Sequence, residues 1–177
     1  MIGFRRFKRT LLAFIFLFCS SVVSLHAAVG LGFEGGLLPH VYHSGVADYS
    51  LGLSFRMDKV PLVASARVQM KQSCFVAFEV SADMWLANPP IGISMLRFFY
   101  GVGANVCFSP RIERSSIRQS RGLFVAPRFL LGANTFLTDF AEVYVQAAVE
   151  PGLVFDSDDG YIFRLALPLS AGIRFWF

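Results

Sequence analysis

The stretch Cys74-Phe75-Val76-Ala77-Phe78-Glu79-Val80-Ser81-Ala82-Asp83-Met84 decides how this chain is read. Cys74, Val76, Phe78, Val80, Ala82 and Met84 take every second position, and Ala77, Glu79, Ser81 and Asp83 fill the gaps. An apolar period of two marks a strand with one apolar face, whereas a helix would repeat near 3.6 residues. The same alternation recurs on both sides. Tyr49, Leu51, Leu53, Phe55 and Met57 alternate with Ser50, Gly52, Ser54 and Arg56, and Leu62 to Met70 alternate with Ser65, Arg67 and Gln69. Further on, Phe98 to Phe108 alternate with Gly101, Gly103, Asn105 and Cys107, and Ala141 to Val149 alternate with Glu142, Gln146 and Glu150.

Turn chemistry falls between these runs, at Asp58-Lys59-Val60-Pro61, Asn88-Pro89-Pro90, Ser109-Pro110 and Asp158-Asp159-Gly160. The pattern predicts eight strands at roughly 29–37, 48–57, 62–71, 74–86, 93–108, 122–135, 140–155 and 161–177. Pro127 and Pro168 bring no amide donor into their strands, which predicts bulges there or positions near the ends of the ladder.

Alternation alone does not say which face is inside. A sandwich or a soluble barrel would turn its large apolar residues inward. Here the polar set is small or charged, rich in Gly, Ser and Ala, and suits a cramped polar lumen. The apolar set is large and aromatic, as a lipid-facing belt requires. The sequence therefore predicts an all-β, eight-stranded antiparallel transmembrane barrel. By parity Glu34, Arg56, Arg67, Glu79, Asp83, Arg97, Arg128, Glu142, Glu150, Arg164 and Arg174 point into its lumen.

Residues 1–27 read as a cleaved signal peptide and 28–177 as the barrel domain. Arg5, Arg6, Lys8 and Arg9 form a basic head, Leu11–Phe18 an apolar core too short to span a bilayer, and Leu25-His26-Ala27 a cleavage site. This segment holds no acid, so its four bases account for the whole excess of 16 basic over 12 acidic residues. The remainder is neutral, and the net charge of +4 gives no support for a nucleic-acid partner. Cys74 falls on the lipid face and Cys107 on the lumen face, which predicts two unbridged thiols.

At the other end Ile173, Phe175 and Phe177 share one face of the last strand, with Arg174 and Trp176 on the other. A final aromatic strand ending in Phe resembles the C-terminal signature of bacterial outer-membrane barrels. The chain as a whole resembles the small eight-stranded class of OmpW- and OmpX-like proteins. The resemblance implies recognition of the last strand by the barrel-assembly machinery. An even strand count places both termini on the periplasmic side, with loops 38–47, 72–73, 109–121 and 156–160 outside.

Two readings of the lumen follow. Opposite charges in so narrow a barrel form either an ion-pair plug or a narrow conduit for small or hydrophobic molecules. The outer loop 109–121 carries Arg111, Arg114, Arg118 and Arg121 against Glu113, a contact surface for lipid headgroups, host-surface ligands or other polyanions, or a solvated loop. Asp156-Ser157-Asp158-Asp159-Gly160 lacks a distant bidentate Glu and reads as a turn. His40, His43, Ser44 and Asp48 make a lipid-modifying enzyme conceivable, but all lie within one loop, and no enzyme activity, cofactor or metal is expected.

Overall fold

Ten elements carry the alternation in the computed structural model, which describes residues 28–39, 47–71, 75–109, 122–156 and 160–177. They are β1 (Val29–Leu38), β2 (Asp48–Met57), β3 (Leu62–Lys71), β4 (Phe75–Ala87), β5 (Pro90–Ile91), β6 (Ile93–Ser109), β7 (Gly122–Thr138), β8 (Ala141–Asp156), β9 (Gly160–Ala166) and β10 (Leu169–Trp176). All belong to one antiparallel sheet ordered β10-β1-β2-β3-β4-β6-β7-β8-β9, with β10 also pairing β8. β5 is a two-residue arm of the turn before β6, where Gly92 takes a φ of 54° that favours glycine.

The sheet closes on itself. Val29 and Phe177 exchange backbone hydrogen bonds of 3.1 and 3.0 Å at the seam. Closure can be measured by following the register once round the wall. Phe108 pairs with Phe78, then Val68, Leu51, Gly35, Ala171, Val145 and Ala133, and the path re-enters β6 at Phe98. That is ten residues back along the same strand, an even stagger that keeps each face of the wall continuous. Eight strands with this stagger tilt by about 40° and enclose a space just wide enough for side chains.

The prolines in the wall distort it less than bulges would. The register on either side of Pro127 sets it opposite Pro151, so two residues without amide donors face each other and only local ladder bonds are lost. At Pro168 the ladder pauses between β9 and β10, yet Glu150↔Ala166 and Ala147↔Leu169 keep one register. Ala148 N–H donates to the Pro168 carbonyl at 2.9 Å across the gap. β9 and β10 are thus two halves of one wall strand, with Pro168 at a ladder end, which is one of the two expected placements, and Pro127 in register inside β7 without a bulge. Among the described residues the register shifts lie near the turns, at Trp85/Ala87, Pro90/Ile91 and Phe136/Thr138.

Burial alternates residue by residue along β7, with Phe124, Ala126, Arg128 and Leu130 buried and Leu123, Val125, Pro127 and Phe129 exposed. Away from the strand ends at Arg97 and Thr138 the exposed set is apolar, with Phe33 at 65% and Val80 at 59%. The buried set contains Glu34, Arg67, Glu79, Asp83, Arg128, Glu142, Glu150 and Arg174. This is a soluble protein turned inside out.

Large lumen side chains fit because glycine stands opposite them in the register. Gly52 pairs with Arg67, Gly32 with Arg174, and Gly172 with Tyr144. A Cβ on Gly172 would come 2.6 Å from the Tyr144 ring, and one on Gly52 would come 2.6 Å from Arg67 Cγ. The missing side chains are the space these groups occupy.

Candidate functional site: the barrel lumen

The lumen is stacked in three layers between the end of the wall that carries the turns and the end that carries the longer connections. Nearest the connections, Leu38, Ala77, Cys107, Phe124, Ala126 and Ala166 form an apolar layer. The middle layer is ionic. Arg67, from β3, lies 3.5 Å from Glu34 of β1 and 2.5 Å from Glu79 of β4. Arg128, from β7, meets Asp83 of β4 at 3.2 Å, Glu150 of β8 at 2.8 Å and Glu79 at 3.9 Å. Gln69 also donates to Glu79, and Asn105 Nδ2 donates to Glu150 at 2.8 Å. Four carboxylates therefore surround two guanidiniums, all of them buried.

The layer nearest the turns inverts that ratio. Glu142 accepts from Arg56 at 2.7 Å, Asn134 at 2.6 Å, Trp176 Nε1 at 3.1 Å and Arg174 at 3.5 Å. One carboxylate faces two guanidiniums, and aromatic rings supply the balance. Trp85 stacks on Phe99 with ring centroids 3.7 Å apart, and the Arg56 guanidinium sits 4.1 Å above Trp85. Arg174 lies 3.9 Å from the Tyr144 ring, and the Tyr144 hydroxyl donates to Glu34 at 2.7 Å, which ties the two ionic layers together. A guanidinium over a desolvated ring gains roughly 0.5–2 kcal/mol from the ring quadrupole.

Nine of the eleven residues assigned to the lumen by parity meet in these two ionic layers: Glu34, Arg56, Arg67, Glu79, Asp83, Arg128, Glu142, Glu150 and Arg174. Arg164 is half-buried near the connection end, with its guanidinium 5.6 Å from the Phe124 ring. Arg97 is a correction. It shares the parity of Phe99 but is exposed at the turn end of β6, where its register partners are Pro90 of the turn arm β5 and Asn134 of β7. Parity assigns a face, and position along the strand decides whether that face is still inside.

Ile173 and Phe175 are half-buried and Phe177 is exposed at the seam. Cys107 is buried in the lumen. Cys74, the signal segment 1–27, Arg111, Arg114, Arg118, Arg121 and the histidines His40 and His43 lie outside the described residues. Sequence reasoning missed the apolar and aromatic content of the lumen. Trp85 follows Asp83 in parity, Tyr144 follows Glu142, and Phe99 precedes Gly101 and Gly103, so the signal was present in residues ranked by polarity instead of by position.

No protein-family model matches the chain, and no curated protein matches it in sequence. Among solved structures it is similar to the N-terminal β-barrel domain of OprF from Pseudomonas aeruginosa, at 15% identity over 84% of this chain and 97% of that one, with a TM-score of 0.47. It is also similar to a major outer membrane protein from Thermus thermophilus, at 10% identity over 84% of this chain and 99% of that one, with a TM-score of 0.38. The register and the side-chain partition define the class without these neighbours. A closed, eight-stranded antiparallel wall, apolar outside and ionic inside, is a small transmembrane β-barrel.

Proposed function

We propose that the protein is a structural and surface-presenting barrel of the bacterial outer membrane, with a lumen closed by its two ionic layers. The observation that carries this reading is the Arg128 guanidinium, which reaches Glu150 on the neighbouring strand β8 and, past β6, Asp83 and Glu79 on β4. Together with Arg67 it ties β1, β3, β4, β7 and β8 across the interior. Separating such buried charges without replacement partners costs several kcal/mol, so a continuous water path is disfavoured. The basic head and apolar core of residues 1–27 support export, with outer-membrane lipids around the belt and both termini on the periplasmic side. The strand ending in Ile173, Phe175 and Phe177 is the segment offered to the assembly machinery. Arg111, Arg114, Arg118 and Arg121 form the contact surface for polyanions or a host surface.

A second reading is a narrow conduit for small or hydrophobic molecules, favoured by the same guanidinium. Arg128 Nη1 lies 2.8 Å from Glu150 and 3.9 Å from Glu79, so a short swing exchanges one carboxylate for the other. Conductance of the purified protein in planar bilayers separates the two. A plugged barrel is silent, and Arg67→Ala with Arg128→Ala opens it. Sustained single-channel conductance of the unaltered protein overturns the plug in favour of the conduit.

A further inference from the structure

The outer belt is not uniformly convex. On its apolar side a groove of about 830 Å³ crosses the wall where β10 meets β1 and β8. It runs between two parallel register rows, Leu131–Ala147–Leu169–Leu37–Tyr49–Met70, six strands wide, and the shorter Val145–Ala171–Gly35–Leu51 beside it. The floor is low because Gly35, Ala147 and Ala171 stand where the rest of the belt carries large side chains, while Leu37, Leu51 and Leu131 rise at its sides.

The direction of the longer row identifies what the groove fits. Five strand spacings of about 4.8 Å make it roughly 24 Å long. In a wall tilted by about 40° the row descends about 15 Å from Tyr49 and Met70, near the connection end, toward Leu131. That is half of the roughly 30 Å hydrocarbon core, the depth of one leaflet. The Tyr49 ring, 58% exposed at the upper end, offers a hydroxyl at the level where aromatic residues meet lipid headgroups. A second copy docking by two-fold symmetry would set one hollow against another and leave a void, which packing disfavours. A flexible, unbranched apolar chain fills it.

We propose that this groove is a binding site for one acyl chain of a lipid in the leaflet at the connection end, entering beside Tyr49 and lying along Gly35, Ala171 and Ala147. The proposal rests on the membrane-spanning reading of the barrel and adds a single preferred lipid position to it.

The test uses the protein reconstituted into vesicles of phosphatidylethanolamine bearing a photoactivatable diazirine on one acyl chain, with the labelled positions mapped by mass spectrometry. Labelling around Leu37, Tyr49 and Leu131 is expected to exceed that around Val80 and Val102, on the far side of the belt, at least threefold. Gly35→Leu and Ala171→Leu fill the hollow and bring the excess down to the level of the belt. A Cβ at Gly35 meets only Leu51 Cδ2 at 3.7 Å and the Ser50 carbonyl at 3.8 Å, so the wall tolerates the first change. Ala82→Leu, on the opposite wall, leaves the excess intact. Heat-modifiable mobility on a detergent gel verifies that each variant is folded, and Ala171→Leu alone serves if the pair is not. Uniform labelling of the unaltered protein, or an excess that survives filling, overturns the site. So does a dimer in analytical ultracentrifugation that filling abolishes, which assigns the groove to a second copy. Labelling nowhere on the belt overturns the membrane-spanning reading as well.

Discussion

The middle and turn-end layers of the lumen solve the same problem with opposite charge ratios. In the middle layer four carboxylates converge on Arg67 and Arg128, and cations are the scarce partner. In the turn-end layer Glu142 is, among the described residues, the carboxylate that forms ion pairs with both Arg56 and Arg174, and the anion is scarce. Aromatic rings occur beside the second layer because a π face can stand in for a missing anion. The middle layer relies on amide donors instead, from Gln69 and Asn105. In each layer the scarce ion is the residue whose loss leaves the most buried charge uncompensated.

That asymmetry can be broken directly. Glu142→Ala is expected to have the largest effect, because two guanidiniums, the Asn134 amide and the Trp176 indole lose one common acceptor. A loss of about 3–5 kcal/mol is expected, read as a fall in the urea midpoint of the heat-modifiable form. Arg128→Met comes next, at about 3 kcal/mol, and adding Glu150→Gln returns part of it because the two side chains are directly coupled. Asp83→Asn sharpens the contrast. It removes negative charge from a layer with a surplus, and is expected to fall within about 1 kcal/mol of the unaltered protein. Comparable losses for Asp83→Asn and Glu142→Ala would contradict the scarce-ion account. Gly172→Val should cost about 1–3 kcal/mol by driving a branched side chain into the Tyr144 ring, whereas the same change at open Gly35 should cost less.

Strand count, faces and most of the ionic network were legible in the alternation, because a period of two leaves every residue only two directions to point. Arg67, Glu79 and Asp83 could be assigned to the lumen from their neighbours on the chain alone. What was not legible depends on the stagger, which is a property of the closed wall and not of any one strand. Arg97 has an inward parity and pairs with buried Asn134, yet it is exposed at the turn end of β6. The three-layer order was hidden in the same way, since which charges meet is set by registers between distant strands. Arg56 and Glu142 are 86 residues apart and 2.7 Å from each other. Pro127 was visible as a strand proline, but its partner Pro151 became meaningful only once the register set them face to face.

The central claim is the inside-out wall, and the two tryptophans of the chain, Trp85 and Trp176, allow it to be measured. Trp85 is buried in the lumen and Val80 points outward on the same strand. In vesicles of lipids brominated along their acyl chains, a Trp176→Phe variant should show Trp85 emission close to that in unbrominated vesicles. With Trp85→Phe and Val80→Trp added, the emission should be strongly quenched. Strong quenching of Trp85 and none at position 80 would reverse the two faces of the wall and contradict the account.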